Sequence, residues 1–207
     1  MREQNLKIIA LVVTLITFFI FYLVLKTTIT PKQDENYINS KIENKAADIG
    51  GEFNLTDSSG EHFSSDQLKG KPALIYFGFT FCPDVCVTSL QKINQVLKTL
   101  DLYKININPV FITLDPKRDT SSTLKNYFSF YHPKFIALTG TKEQIKEAAD
   151  KYRVYYAIRG DENSNDYLVD HSTFIYLFNK EGKYITHFTI DSKVEEIVEY
   201  IRVNCRE

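Results

Sequence analysis

The order of apolar segments predicts an α/β fold, a three-layer sandwich preceded by one N-terminal transmembrane helix. Three observations carry this. Two continuous apolar runs rich in strand formers, PALIYFGF at 72–79 and NPVFITL at 108–114, read as buried central strands. The segment between them repeats Leu90, Ile93, Val96, Leu97 and Leu100 at steps of three and four, which is helical. A run of 18 residues without a charge, Ile8 to Leu25, lies near the N-terminus between Lys7 and Lys26.

That run would extend about 27 Å as a helix, close to the thickness of a bilayer's hydrocarbon core. A cleaved signal peptide would have a shorter apolar stretch followed by small residues, whereas KTTITPKQ follows here. Residues 1–26 are therefore expected to form a retained membrane anchor. Arg2 and Lys7 before the span are matched by Lys26 and Lys32 after it, so charge barely sets the orientation. The long C-terminal part is expected to be the exported one. Residues 27–47 are polar, contain Pro31, show no apolar period and read as a tether. Residues 48–207 remain as one domain, long enough to bury a proper core.

Within that domain, GGEFNLTDSSGEHFSS (50–65) alternates around a Ser-Gly turn and predicts a hairpin. After the first central strand, helix and second central strand come a helix from about Thr120 to Phe128, a short strand FIAL and a helix over 142–152. STFIYLF, NKEG and KYITHF predict strand, turn and strand, and Lys193 to Cys205 an amphipathic helix. This order suggests parallel central strands with an antiparallel hairpin at one side.

The net charge of −1, with 43% apolar and 25% charged residues, fits an ordinary globular protein. No Lys/Arg block marks a nucleic-acid binder. Two of the three cysteines, Cys82 and Cys86 in FGFTFCPDVC, lie just past the first central strand, where open α/β sheets hold their ligands. Pro83 favours a helix start that makes Cys82 its N-cap, with Cys86 one turn on along the same face. Such a pair can form a disulfide or hold a soft metal. Among four histidines, His62, His132 and His187 have structural explanations in a hairpin, a turn and a strand. His171 stands at the opening of STFIYLF, at a strand end able to face the cysteines.

The blocks FGFTFCPDVC, FITLDPKRDT (111–120), FIALTG (135–140) and DYLVDHSTFIYLFNKEG (166–182) resemble, in this order, the Sco/SenC family of membrane-anchored copper-binding proteins. The resemblance implies a thioredoxin-like fold and one copper ion, as Cu(I) or Cu(II), held by Cys82, Cys86 and His171. It further implies a metallochaperone, not an enzyme, that serves the copper centre of cytochrome c oxidase subunit II. Other copper chaperones or thiol reductants would be further partners. The location implied is a bacterial inner membrane with the domain on the periplasmic side, or else a mitochondrial inner membrane facing the intermembrane space. Family members usually carry proline after the second cysteine; here Val87 implies altered helix geometry near the site.

The alternative is a thiol-disulfide oxidoreductase acting on the same target. Against it stand the spacing, which is not C-x-x-C, and the lack of a proline before STFIYLF. A peroxiredoxin-like peroxidase has less support. Asp170 is a candidate to orient His171, or else faces away from it. DPKRDT is either a loop leading to a helix cap at Asp119 or Thr120, or a docking loop using Lys117 and Arg118. Cys205 is either a packed thiol or the seat of an intermolecular disulfide.

Overall fold

A computed structural model describes residues 13–23, 49–164 and 166–205. The chain divides into two units, Met1–Ala46 and Ala47–Glu207. In the first, residues 13–23 are helical with exposed side chains. Among the described residues no helix is long and apolar enough to cross a membrane. The expected span Ile8 to Leu25 runs past the described residues at both ends, and the expected tether lies outside them.

The second unit is built on a seven-stranded sheet. Its strands are β1 (Asn54–Asp57), β2 (His62–Ser64), β3 (Ala73–Gly78), β4 (Asn108–Thr113), β5 (Ile136–Thr139), β8 (Ile175–Phe178) and β9 (Tyr184–Phe188), in the order β2-β1-β5-β4-β3-β8-β9. β3, β4 and β5 run parallel, and β8 joins β3 antiparallel. The central position of β3 explains its unbroken apolar run, since all six residues are buried. Hairpins flank the parallel strands on both edges, β1–β2 on one and β8–β9 on the other, where one side was expected.

Four helices cover the sheet: α1 (Val85–Leu102), α2 (Ser121–Phe128), α3 (Lys142–Lys151) and α4 (Val194–Asn204). α1 turns its expected stripe, Leu90, Ile93, Val96, Leu97 and Leu100, into the core, and α4 packs beside it. Strand side chains alternate between faces. Tyr76 meets Phe111 at 6.5 Å and Phe111 meets Phe128 of α2 at 4.9 Å, which marks the α1–α2 face. Phe77 points the other way, to Tyr152 at the end of α3. The three-layer sandwich is thus present. Local signals set the helix starts: Thr120 accepts from the Thr123 amide, and Thr141 and Gln144 cap each other reciprocally.

Periodicity failed to separate one excursion from its surroundings. β6 (Tyr156–Arg159) and β7 (Leu168–His171) form a separate two-stranded antiparallel sheet between α3 and β8. His171 therefore ends β7, whereas the sequence placed it at the start of the strand that became β8. The two readings differ because Ser172 to Phe174 are not in a strand.

Candidate metal centre

The floor of the site is Gly78, the last residue of β3. A Cβ built there would lie 2.9 Å from Cys86 Sγ, 2.9 Å from Tyr76 Cε1 and 3.2 Å from Phe111 Cε2. Its backbone does not require glycine; the room is taken by the sulfur. Beyond it the chain leaves the sheet through Phe79 to Asp84 and enters α1 at Val85. Cys82 is consequently not the N-cap, which is Asp84, and Cys86 occupies the first turn. Pro83 lies in the turn ahead of the helix instead of opening it. The sulfurs still converge, because the loop folds back until the Cys86 amide donates to Cys82 Sγ at 3.5 Å.

His171 arrives from the other side on β7. Its Nε2 is 3.3 Å from Cys86 Sγ, and its Nδ1 bonds the Ser172 carbonyl at 2.8 Å. A carbonyl can only accept, so Nδ1 carries the proton and Nε2 presents its lone pair to the sulfurs. The rings of Phe79, at 5.9 Å, and Tyr76, at 6.3 Å, stand edge-on to the imidazole. Asp170 plays no part in this orientation. One residue earlier on the strand, it faces away and pairs with Arg159 at 2.7 Å.

Cys82 Sγ, Cys86 Sγ and a His171 ring nitrogen all lie within 4.8 Å of one another. Donors about 2.0–2.3 Å from a shared ion sit up to about 4.6 Å apart, so small side-chain movements complete the set. Cys86 is fully buried, Cys82 nearly so and His171 half-buried. His171 is the least buried of the three. A hydrogen bond from Cys86 holds Cys82 down to about 4, with burial opposing. The same bond, then burial, pushes the Cys86 thiol up. One sulfur is thus a ready thiolate in an apolar wall. Two sulfurs and an imidazole form a soft donor set, suited to ions that favour thiolate over oxygen ligands.

The DPKRDT segment braces the loop. Fully buried Asp119 accepts from the Thr80 amide at 3.0 Å, the Thr80 hydroxyl at 2.5 Å and the Thr113 hydroxyl at 2.6 Å. That fixes the backbone two residues before Cys82, and burial raises the Asp119 carboxyl above the ordinary range. Asp115 accepts from Tyr167 at 2.6 Å and pairs with Arg118, whose guanidinium lies 3.6 Å from the Tyr167 ring centre and 4.7 Å from that of Phe81. Arg118 is thereby committed internally, and Lys117 bonds the Glu162 carbonyl. Thr120 is the cap of α2, as the loop reading expects, and Lys117 stays exposed.

The remaining histidines keep structural roles. His132 bonds Asp101 at 3.0 Å, His187 bonds the Tyr184 hydroxyl at 2.6 Å, and His62 is exposed on β2. Cys205 is a free, half-buried thiol at the C-cap of α4. Sequence reasoning did not single out Gly78, Thr80, Tyr76 or Ser89. Strand alternation does place Tyr76 and Gly78 on one face, but only the three-dimensional contacts show that Cys86 shares it.

The profile of the SCO1/SenC family matches residues 41–205. The SCO2-like protein of Rickettsia felis is 46% identical over 205 residues, spanning 99% of each chain. Protein SCO2, mitochondrial, of Saccharomyces cerevisiae is 44% identical over 160 residues, 74% of this chain and 53% of its own length. Among solved structures, yeast Sco1 with copper bound superposes with a TM-score of 0.72 at 41% identity, covering 75% of this chain and 87% of that one.

Proposed function

Because the chain belongs to the SCO1/SenC family, we propose that it is a copper metallochaperone whose Cys82, Cys86 and His171 hold one copper ion for delivery to subunit II of cytochrome c oxidase. The convergence of two sulfurs and a bare imidazole nitrogen within 4.8 Å carries this reading. Two thiolates and an imidazole give Cu(I) a three-coordinate soft site, and the same donors hold Cu(II) with a further ligand. The residues fit that cargo. Cys82 is already a thiolate near neutral pH, the Ser172 carbonyl presents the His171 lone pair, and Tyr76 and Phe79 wall off water from one side.

Release by ligand exchange suits this layout. A cysteine or histidine of the acceptor takes the place of His171, the least buried of the three ligands, while the two sulfurs retain the ion until a second acceptor ligand arrives. Residues 1–26 would anchor the domain, residues 27–47 would tether it, and residues 48–207 would work at the outer face of a respiratory membrane. A bacterial inner membrane fits the wholly matched Rickettsia relative, and the mitochondrial inner membrane is the alternative that the yeast relative represents.

The low pKa of Cys82, with Cys86 beside it, favours a second reading, reduction of the target's own cysteines by thiol-disulfide exchange. His171→Ala separates the two in a strain lacking the chromosomal copy. A metallochaperone loses oxidase assembly with this substitution, whereas a pure dithiol reductase keeps it, and full assembly with His171→Ala would overturn the copper-delivery reading.

A further inference from the structure

Two buried hydroxyls beside the cluster, Tyr76 Oη and Ser89 Oγ, have no hydrogen-bond partner among the described residues. Both residues are completely buried. Tyr76 lies two residues before Gly78 on β3, so the two share the face over which α1 packs. Ser89 is three residues beyond Cys86 on α1 and shares its side of the helix. The phenol edge and the Cys86 sulfur meet over Gly78, each 2.9 Å from the same point above its Cα.

An unsatisfied hydroxyl in an apolar core is destabilising, and phenylalanine would fill the same volume without that penalty. Phe77, Phe79 and Phe111 occupy neighbouring core positions, so the hydroxyl at Tyr76 is not explained by packing. An ordinary phenol keeps its proton at neutral pH and is a hydrogen-bond donor. The acceptor it lacks is a sulfur carrying charge.

We propose that Tyr76 is a positioning residue of the copper site: its hydroxyl donates to Cys86 Sγ when copper holds that sulfur as a thiolate, with the Ser89 hydroxyl backing it. The inference rests on the copper reading of Cys86. Hydrogen bonds to a metal-bound sulfur withdraw electron density from it and tune the ion's affinity and redox balance. Here the donor would favour Cu(I), which depends less than Cu(II) on strong thiolate donation.

Tyr76→Phe in the full-length chain tests this by effects of opposite sign. The copper-free variant should unfold at the same temperature as the unmodified chain, or higher, because an orphaned hydroxyl is gone. Its Cu(I) affinity, measured by competition with a chromophoric chelator, should fall about 10- to 100-fold, and its thiolate-to-Cu(II) absorption band should move to longer wavelength. Ser89→Ala should shift both in the same direction by less. Equal Cu(I) affinity with an unmoved band would overturn the inference alone, as would weaker binding accompanied by a lower copper-free melting temperature, which marks a purely structural residue. An unmodified chain that binds no Cu(I) would overturn the copper reading itself, and this inference with it.

Discussion

Gly78→Ala probes how tightly the fold fixes the second cysteine. The added methyl would stand 2.9 Å from Cys86 Sγ and Tyr76 Cε1 and 3.2 Å from Phe111 Cε2, where ordinary contacts begin at 3.4 Å. None of these neighbours has free space to yield into, since Tyr76, Cys86 and Phe111 are all fully buried. The strand cannot withdraw either: Gly78 pairs with Thr113 on β4, and its carbonyl accepts from the Leu114 amide at 2.7 Å. Because the glycine's φ is not positive, backbone strain contributes nothing, and the whole effect is steric. Overpacking of this kind costs about 1–3 kcal/mol. A loss near the middle of that range lowers the melting temperature by roughly 4–8 °C for a unit of this size. Urea unfolding of the copper-free chain should show an earlier midpoint with an unchanged slope. The sulfur, the smallest of the three neighbours, is the one that shifts, so Cu(I) affinity should fall as well. A variant within about 0.5 kcal/mol of the parent that binds copper equally well would refute the claim that Gly78 seats Cys86.

Further outcomes follow from the same geometry. Cys82, held near pH 4, should alkylate at a rate that levels off above about pH 5, while Cys205, raised by burial, should accelerate only in alkaline solution. A thiol lowered from 9.0 to about 4 on folding adds stability that is complete above pH 9 and is lost as pH falls towards 4. Cys86, shifted upward, subtracts stability above pH 9. Urea midpoints of the copper-free protein should therefore rise from pH 5 to pH 8, and Cys82→Ser should flatten that rise. Asp119→Ala leaves the Thr80 amide and the Thr80 and Thr113 hydroxyls without their acceptor. Relief of the buried carboxylate offsets part of this, and chemical denaturation should show a net loss of about 3 kcal/mol together with weaker copper binding. An unchanged midpoint would remove Asp119 as the brace of the cysteine loop.

Much of this architecture was legible in the residues because the relevant signals are local. Continuous apolar runs at 72–79 and 108–114 became β3 and β4, and the helical stripe from Leu90 to Leu100 became the buried face of α1. The β6–β7 excursion was not legible. Its strands are four residues each and mostly exposed or half-buried, so alternation had no buried face to report. The three cluster residues were found from chemical type, strand ends and resemblance. The route by which they meet was not: Cys82 reaches Cys86 through a loop clamped 39 residues away by Asp119, a contact no spacing rule encodes. Arg118 illustrates the same limit. A cation in a loop looks available for docking, yet Asp115, Tyr167 and Phe81 hold it.

The central claim is that Cys82, Cys86 and His171 together hold one copper ion. Its most direct test is copper stoichiometry and absorption on the full-length chain, compared with Cys82→Ala, Cys86→Ala and His171→Ala. One copper per chain with an intense thiolate-to-Cu(II) band, lost or grossly altered in each variant, is the predicted result. Full copper retention with an unaltered spectrum in His171→Ala would contradict it.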